Sequence, residues 1–170
     1  DAKFNYTNSS DLNRIERKIN SLVEDNFGRN WIGTPKGIYR LNNKNQYIET
    51  NFKKNIKSIQ TYQNNKIIAL TTKGFFILGY NKTDFRLEVL ESYDNFMNAY
   101  SANAITTSIA LRKNSSDIWI GTTGGLFKAK KKDNSYGFTY FAKGNSKGDL
   151  KSNHITNITL DSYANLWIGS

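Results

Sequence analysis

Residues 25–40 read DNFGRNWIGTPKGIYR, and the central part of this stretch returns further along the chain. Two clear copies are DIWIGTTGGLFK at 117–128 and DSYANLWIG at 161–169. A degenerate copy, IALTTKGFF, lies at 68–76. The tryptophan position therefore falls at 31, 68, 119 and 167, at intervals of 37, 51 and 48 residues. These intervals bracket the ~40–50 residues of a four-stranded propeller blade.

The residues within each unit predict short strands joined by two hairpin turns. The first turn follows Asp25, where Gly28 supplies a positive φ without steric cost. Ala164 replaces that glycine in the last unit, so we expect a slightly different turn there. The second hairpin spans 34–37 and 122–125, where glycine again serves the turn. A more variable fourth strand is predicted at 46–49, 85–91 and 138–141.

The repeat divides the chain into about three and a half blades. The units are predicted at 19–55, 56–104, 105–154 and 155–170, the last of them truncated. Residues 1–18 are predicted to be the outer strand, at 4–6, and the linker of a preceding blade, with a loop rather than a helix at 11–18. The predicted fold class is therefore an all-β β-propeller fragment. Because open blade edges are costly, we expect the chain to belong to a larger propeller.

The composition indicates a folded domain that depends on packing alone. The chain has 170 residues, enough for a single core, and 14% aromatic residues argue against disorder. It has no Cys and one His, which excludes thiolate nucleophiles and disulfides and leaves almost no scope for structural zinc. No apolar stretch approaches the ~20 residues that cross a bilayer.

The three tryptophans are the most tempting ligand contacts, because aromatic faces stack on sugar rings. They recur at one position of the unit, however, and this favours packing between neighbouring sheets. We therefore interpret these residues as structural repeat positions: Trp31, Gly33, Gly37, Gly74, Trp119, Gly121, Gly125, Trp167 and Gly169. The sequence pattern assigns no residue to ligand binding.

Candidate catalytic residues are few. Asp25 and Asp161 are interpreted as turn-forming side chains that accept hydrogen bonds from nearby backbone N–H groups. No repeated carboxylate pair indicates general acid and base catalysis. A Ser-His-Asp triad could use only His154, which lies in a loop that leads into a strand. We predict no catalytic residue, no metal site and no cofactor.

The net charge of +10 raises the alternative of an anionic partner such as a nucleic acid. The basic residues are dispersed, apart from one cluster formed by Lys128, Lys130, Lys131 and Lys132. We predict that this cluster lies in the connection between the third and fourth strands of its blade, where charge keeps a loop solvated. Nucleic acid is therefore not an expected partner, and a binding module for another anionic polymer stays a second alternative.

The pattern D-x-x-G-x-x-W-I-G-T-x-x-G-I-Y-R at 25–40, with Trp-Ile-Gly again at 119–121 and 167–169, resembles the two-component regulator propeller repeat. The resemblance spans nearly the whole chain. It implies blades of the extracytoplasmic, periplasmic sensor of a bacterial hybrid histidine kinase anchored in the inner membrane. Known relatives, often from gut Bacteroidetes, respond to glycans and signal across the membrane.

The resemblance implies a non-catalytic module that senses a glycan or oligosaccharide, within a full-length sensor histidine kinase. Its expected partners are a glycan or another small ligand and the rest of the sensor propeller. Self-association through open blade edges is also open. The alternative is a propeller-type lyase or glycan-active enzyme, which would need His154 with a metal, or carboxylates clustered on one rim.

Overall fold

The computed structural model describes residues 18–42, 46–63, 65–80, 86–112, 115–145 and 150–170. These ranges contain fourteen β-strands and one short 3₁₀ helix, so the all-β fold class is confirmed. Nowhere in them does a helix reach the length and apolarity that crossing a membrane requires. The predicted outer strand at 4–6 and most of the predicted loop at 11–18 lie outside the described residues.

The strands of each sheet are consecutive in sequence, and all neighbouring pairs are antiparallel. The first sheet contains β1 (Ser21–Glu24), β2 (Asn30–Thr34), β3 (Gly37–Leu41) and β4 (Tyr47–Glu49). The second contains β5 (Ile56–Tyr62), β6 (Lys66–Thr71), β7 (Gly74–Tyr80) and β8 (Leu87–Asp94), followed by the 3₁₀ helix (Phe96–Ala99). The third contains β9 (Thr106–Leu111), β10 (Ile118–Thr122), β11 (Gly125–Lys132) and β12 (Ser135–Phe141). The fourth contains β13 (Asn157–Leu160) and β14 (Leu166–Gly169).

Strand β6 illustrates why apolar runs form strands inside a stack of sheets. Ile67 and Ala69 pack with residues of the first sheet, whereas Ile68 and Leu70 pack with residues of the third. Successive side chains of a strand point to opposite faces, so a continuous apolar run is buried on both sides. Each buried Ile or Leu side chain contributes about 1.5–3 kcal/mol. The second sheet is therefore the middle layer of the stack.

The first strand of each sheet, β1, β5, β9 or β13, lies beside the first strand of the next sheet. Hydrogen bonds reinforce this contact. The backbone N–H of Ile59 donates to Ser21 Oγ at 2.9 Å, and the side-chain amide of Gln60 donates to the Ile109 carbonyl at 2.8 Å. The sheets are thus placed side by side with their first strands innermost, as blades are in a propeller.

The predicted fourth strands are confirmed, with shifted bounds. They are β4, β8 and β12 of the structure, at Tyr47–Glu49, Leu87–Asp94 and Ser135–Phe141. Strand β8 continues past its predicted end because it follows β7 along its whole length, with a bulge opposite Ile77 and Leu78. Strand β12 begins earlier than predicted because it pairs with the lysine-rich part of β11.

The lysine cluster was predicted in a connection, and this prediction is wrong. Lys128, Lys130, Lys131 and Lys132 belong to strand β11 and pair with β12. The connection that follows is the tight turn before Ser135, where Asp133 adopts a φ of 52°. Lysine stems are apolar, so they can cover a sheet face while their ammonium groups reach solvent or a carboxylate.

The last hairpin was predicted to differ from the first, and this prediction is also wrong. Ala164 adopts a φ of 65°, close to the 71° of Gly28. In both turns this residue donates its backbone N–H to the carbonyl oxygen of the aspartate three positions earlier, at 3.0 Å. The aspartate side chain fixes the turn strongly enough to hold an alanine in a conformation that its Cβ disfavours.

Candidate functional site

The three tryptophans occupy equivalent positions, but their surroundings differ. Trp31 is 1% exposed and lies 5.0 Å from the ring of Tyr80 in the second sheet, so it packs between two sheets. Trp119 is half-buried beside Phe141, at 5.7 Å. Trp167, in the last sheet, is 59% exposed. The first two contribute to packing, and no sheet follows that of Trp167 among the described residues.

Each Asp-bearing turn is joined to the tryptophan of its own unit. Asp25 Oδ2 accepts a hydrogen bond from Trp31 Nε1 at 2.8 Å, and Asp161 Oδ2 accepts one from Trp167 Nε1 at 3.1 Å. The repeat pattern alone did not reveal this bond, although the constant spacing of six residues between Asp and Trp is its signature. The carboxylate therefore orients the tryptophan as well as the turn.

The Asp25 carboxylate is almost completely buried and ionised. Burial raises its pKa. Hydrogen bonds from the Trp31 indole, from the backbone N–H groups of Arg29 and Phe27, and from the Arg29 side chain lower the pKa by more than burial raises it. The resulting pKa lies below the ordinary value. Arg29 Nε is 2.9 Å from Asp25 Oδ2 and completes a buried ion pair. Most polar atoms of this site are bonded to one another, as is typical of a structural role, although Arg29 Nη2 is buried and has no hydrogen-bond partner among the described residues.

Gly33 and Gly121 allow neighbouring sheets to approach closely. A Cβ on Gly33 would lie 2.6 Å from Ile56 Cγ2, and a Cβ on Gly121 would lie 2.8 Å from Ile155 Cγ2. Each isoleucine belongs to the next unit along the chain. These glycines therefore serve packing between sheets rather than a ligand.

Gly37, Gly74 and Gly125 follow the second hairpin turn and face backbone atoms. Gly37 and Gly125 have φ values of 152° and 139°, and a Cβ on either would lie 2.5–2.6 Å from a carbonyl oxygen. A Cβ on Gly74 would overlap the Tyr93 carbonyl. A threonine three positions earlier donates its hydroxyl to each glycine carbonyl, at 2.7–3.1 Å. All of these residues stabilise hairpins, and none lines either cavity of the described residues.

A Cβ on Gly169 of β14 would meet only Thr156 Oγ1, at 3.1 Å, and the backbone of Asn157.

A central cavity of about 1060 Å³ lies where β1, β5 and the end of β9 meet. Most of its lining is polar and includes Asn26, Ser58, Gln60, Gln63, Arg112 and Ser115. Hydroxyl and amide groups of this kind can donate and accept hydrogen bonds in several directions. The cavity therefore offers a polar surface suited to a hydroxyl-rich ligand.

A side cavity of about 630 Å³ adjoins the central one. It is lined by the last turn of the structure, residues 161–164, together with Leu160. The two cavities share Leu111 and Arg112. The first hairpins of several sheets thus converge on one continuous depression, which we call the hairpin-face site.

Tyr163 is the most exposed large side chain in the hairpin-face site, at 86%. Its equivalent in the first unit, Phe27, is 46% exposed and lies 4.8 Å below the Arg29 guanidinium. In the last unit Asn165 takes the place of Arg29. Tyr163 therefore presents an aromatic face and a hydroxyl to solvent at the edge of a cavity.

Arg112 lies at the boundary of the two cavities and is exposed. The strand register aligns it with Asp25 and Asp161, because Trp119 pairs with Ala110 as Trp31 pairs with Val23. The third unit has therefore replaced the turn-forming aspartate with a cation. Arg112 and Tyr163 were not predicted as site residues from the sequence. Alignment by strand register reveals the substitution, whereas the tryptophan spacing does not.

A second polar cluster connects the outer strands of the second and third sheets. Lys131 Nζ lies 2.6 Å from Glu91 Oε1, and the Tyr93 hydroxyl donates to Glu91 Oε2 at 2.7 Å. The Tyr136 backbone N–H donates to the Tyr93 oxygen, and the hydroxyls of Tyr136 and Tyr62 are 2.7 Å apart. These bonds form a chain from the sheet edge to the wall of the central cavity.

The tyrosines of this cluster are held neutral. Burial and the hydrogen bond to Glu91 raise the pKa of Tyr93 to about 12. Burial, followed by the contact with Tyr62, also raises the pKa of Tyr136. Burial raises the pKa of Glu91, but the hydrogen bonds from Lys131 and Tyr93 outweigh it, so the pKa is lowered. The cluster therefore joins two blades through neutral tyrosines and one ion pair.

His154 is exposed, and its backbone N–H donates to Ser152 Oγ at 3.1 Å. The ion pairs found among the described residues do not include it. Within the described ranges, no three His, Asp or Glu side chains come close enough together to hold a metal ion.

The lysines of β11 are partly neutralised, since Lys128 pairs with Asp117 at 3.0 Å and Lys131 with Glu91.

Solved structures share this arrangement of sheets. Two structures of the extracellular domain of BT4673 from B. thetaiotaomicron, described as a one-component and as a hybrid two-component system, each superpose with a TM-score of 0.66 at 20% identity. They cover 94% and 89% of this chain. The β-propeller domain of Cps50 (Swd1) from Myceliophteria thermophila matches 89% of this chain at 17% identity, with a TM-score of 0.59. The fold is a partial β-propeller.

The chain spans about a fifth of the length of the BT4673 structures, 22% and 19%, and 48% of the Cps50 domain. A gluconolactonase from Xanthomonas campestris is also similar, at 11% identity and a TM-score of 0.56 over 88% of this chain and 55% of the enzyme. No family model and no curated protein matches the chain. At these identities the likeness establishes the propeller fold, which hosts several unrelated functions.

Proposed function

We propose that this chain is a non-catalytic, extracytoplasmic sensor module of a bacterial hybrid two-component protein, located in the periplasm, and that it binds an oligosaccharide at the hairpin-face site. The observation that carries the sensor part is the fold shared with the extracellular domain of BT4673 over nearly the whole chain. The rest of the sensor propeller is then its structural partner.

The hairpin-face site supports the ligand part of the proposal. Sugars present hydroxyl groups that need hydrogen-bonding partners and C–H faces that pack against aromatic rings. The Ser58 hydroxyl and the Oε1 of Gln60, whose amide nitrogen donates to the Ile109 carbonyl, can supply the first kind of contact, and exposed Tyr163 can supply the second. Pockets of about 300–1,000 Å³ accommodate small ligands, so the two adjoining cavities suit several sugar rings.

The mechanism that follows is a shift between arrangements of the sensor. A ligand changes a signalling equilibrium only if it binds one arrangement more tightly than the other. The hairpin-face site is formed by hairpins of different sheets, so a bound oligosaccharide would contact several blades at once. An arrangement in which these hairpins are correctly spaced is then favoured.

The proposal is tested by calorimetric titration of the full-length gene product with a panel of neutral and acidic oligosaccharides. We expect one class to bind, and Tyr163→Ala to weaken its affinity about tenfold, as loss of an aromatic contact of 1–1.5 kcal/mol would. Phe27→Ala is the matched control, because Phe27 occupies the same turn position and is not among the residues that line either cavity. A folded protein that binds no oligosaccharide would refute the proposal.

A propeller enzyme is the second candidate, favoured by the similarity to the gluconolactonase. It predicts turnover of a sugar lactone or cleavage of a glycan by this protein. Incubation of the full-length protein with gluconolactone and with the oligosaccharide panel, followed by mass spectrometry, separates the two candidates. We expect every compound to be recovered intact.

A further inference from the structure

We propose that the oligosaccharide recognised at the hairpin-face site is acidic, and that Arg112 binds its carboxylate while Tyr163 packs against a neighbouring sugar ring. This inference rests on the proposed function and specifies its ligand class. It follows from the distribution of charge around the two cavities, from the hydrogen bonding of Asp161 and from the position of Tyr163.

The central cavity carries one kind of charge. Of the described residues that line it, Arg112 is the only ionised one, and the others are serine, threonine, asparagine, glutamine, tyrosine and aliphatic side chains. A guanidinium presents a planar set of donors that matches a carboxylate in a two-pronged contact. No described carboxylate forms an ion pair with Arg112. The cavity is therefore electrostatically suited to an anionic group.

The side cavity contains a carboxylate, Asp161, but its oxygens are already bonded within the turn. Asp161 Oδ1 accepts the backbone N–H groups of Tyr163 and Asn165, at 2.9 and 2.8 Å. Asp161 Oδ2 accepts the Asn165 amide at 2.9 Å and the Trp167 indole at 3.1 Å. With four donors directed at it, Asp161 is engaged by its own hairpin, and Arg112 stays available to a ligand.

The substitution of aspartate by Arg112 has a structural cost that packing does not explain. In the first and last units, the aspartate at this position bonds the unit's tryptophan. In the third unit the arginine removes that acceptor, and the ring of Trp119 instead lies 5.2 Å from Lys128 Nζ. The second unit has also lost this aspartate, since Tyr62 takes its place, whereas the third unit places a cation between two cavities.

Tyr163 is positioned to extend the contact along the ligand. Its backbone N–H is held by Asp161, so the turn fixes the backbone from which the exposed ring extends at the rim of the side cavity. An aromatic face packs against the C–H groups of a sugar ring and is indifferent to its charge. Arg112 would thus determine selectivity for acidic sugars, whereas Tyr163 would contribute affinity for sugars in general.

The test is calorimetric titration of the full-length protein with two probes of equal length, tetragalacturonate and neutral cellotetraose. We expect tetragalacturonate to bind at least tenfold more tightly, with an affinity that falls as salt is raised, because the contact is charged. Arg112→Gln should reduce tetragalacturonate affinity about tenfold and leave cellotetraose affinity unchanged. Arg112→Lys should recover part of the loss, since it keeps the charge without the two-pronged geometry.

Two controls separate a local contact from an effect of net charge or of folding. Lys130→Gln removes one positive charge from the exposed part of β11, away from both cavities, and should leave both affinities unchanged. Thermal unfolding of each variant reports whether it is folded. Equal binding of the two probes, or preference for cellotetraose, would overturn the acidic ligand and leave the glycan sensor intact. Binding of neither probe or any panel member would overturn both.

Discussion

The carboxylates of Asp25 and Asp161 show how one residue type organises a whole turn. Each accepts two backbone N–H groups with one oxygen and a tryptophan indole with the other. Their role as turn formers could be predicted from sequence, because Asp before a short polar stretch is typical of such turns. Their bond to the tryptophan could not, since it depends on the side chains folding back across the hairpin.

The alanine in the last turn predicts a stabilising substitution. Ala164→Gly should raise the free energy of unfolding by about 1 kcal/mol, because a left-handed φ costs an L-residue about 1–2 kcal/mol and glycine almost nothing. Urea denaturation and amide exchange of β13 and β14 measure this change. Gly28→Ala is the matched control and should destabilise by a similar amount, as a Cβ there meets nothing within 4 Å. If Ala164→Gly does not stabilise the protein and Gly28→Ala does not destabilise it, the turn tolerates alanine without cost.

The lowered pKa of Asp25 predicts a pH dependence of stability. Between the folded pKa and the unfolded value of about 3.9, the unfolded state binds more protons, so the free energy of unfolding rises with pH. This contribution is complete above pH ~4 and is lost as the pH falls through the lowered folded pKa. Asp25→Asn should be less stable at pH 6 and show a flatter stability profile below pH 4. Parallel profiles for wild type and variant would contradict the assignment.

At the scale of elements, close packing between adjacent sheets follows a rule of complementary size. Gly33 faces Ile56, and Gly121 faces Ile155. In the second unit Leu70 occupies the position of these glycines. By strand register, Thr106 of the third unit occupies the position that Ile56 has in the second. A large residue on one strand is thus matched by a small one at the equivalent position of the other.

This rule predicts that Gly33→Ala is destabilising by about 1–3 kcal/mol, because the new methyl overlaps Ile56 Cγ2. Combining it with Ile56→Ala should cost less than the sum of the two single changes, and a double-mutant cycle measures the difference. Gly137→Ala in β12 is the control and should be nearly neutral, since a Cβ there meets nothing within 4 Å. Additive effects at Gly33 and Ile56 would refute the rule.

The tyrosine cluster between the second and third sheets predicts a loss of stability at alkaline pH. The pKa of Tyr93 is raised to about 12, so the folded state retains a proton that the unfolded state loses near pH 10. The stabilisation is complete below pH ~10 and is lost as the pH rises to about 12. Tyr93→Phe should reduce this loss between pH 10 and 12 in denaturation experiments. An unchanged alkaline profile would contradict the raised pKa.

The strands themselves were largely predictable, because their apolar and β-branched runs alternate with turn residues. The main error concerned the lysines of β11, which local charge made look like a solvated connection. Lys128 is instead paired with Asp117, beside the neighbouring strand β10, and Lys131 with Glu91, 40 residues away in sequence. Charge alone therefore does not separate a loop from a strand whose lysines are paired with carboxylates.

At the scale of the whole molecule, the periodicity of tryptophan was enough to predict stacked four-stranded sheets. The hairpin-face site was not predictable from it, since the cavities depend on where hairpins of different sheets converge. Arg112 and Tyr163 are separated by about fifty residues in sequence and line one depression in space. The departures from the repeat, rather than the repeat itself, mark the surface that we propose to bind ligand.

We propose that an oligosaccharide binds intact at the hairpin-face site. A crystal structure of the full-length protein with the panel member that binds most tightly tests it directly. We predict an uncleaved sugar chain across the central and side cavities, with one ring against Tyr163. A sugar bound only elsewhere on the protein, or one cleaved beside a pair of carboxylates, would refute this proposal.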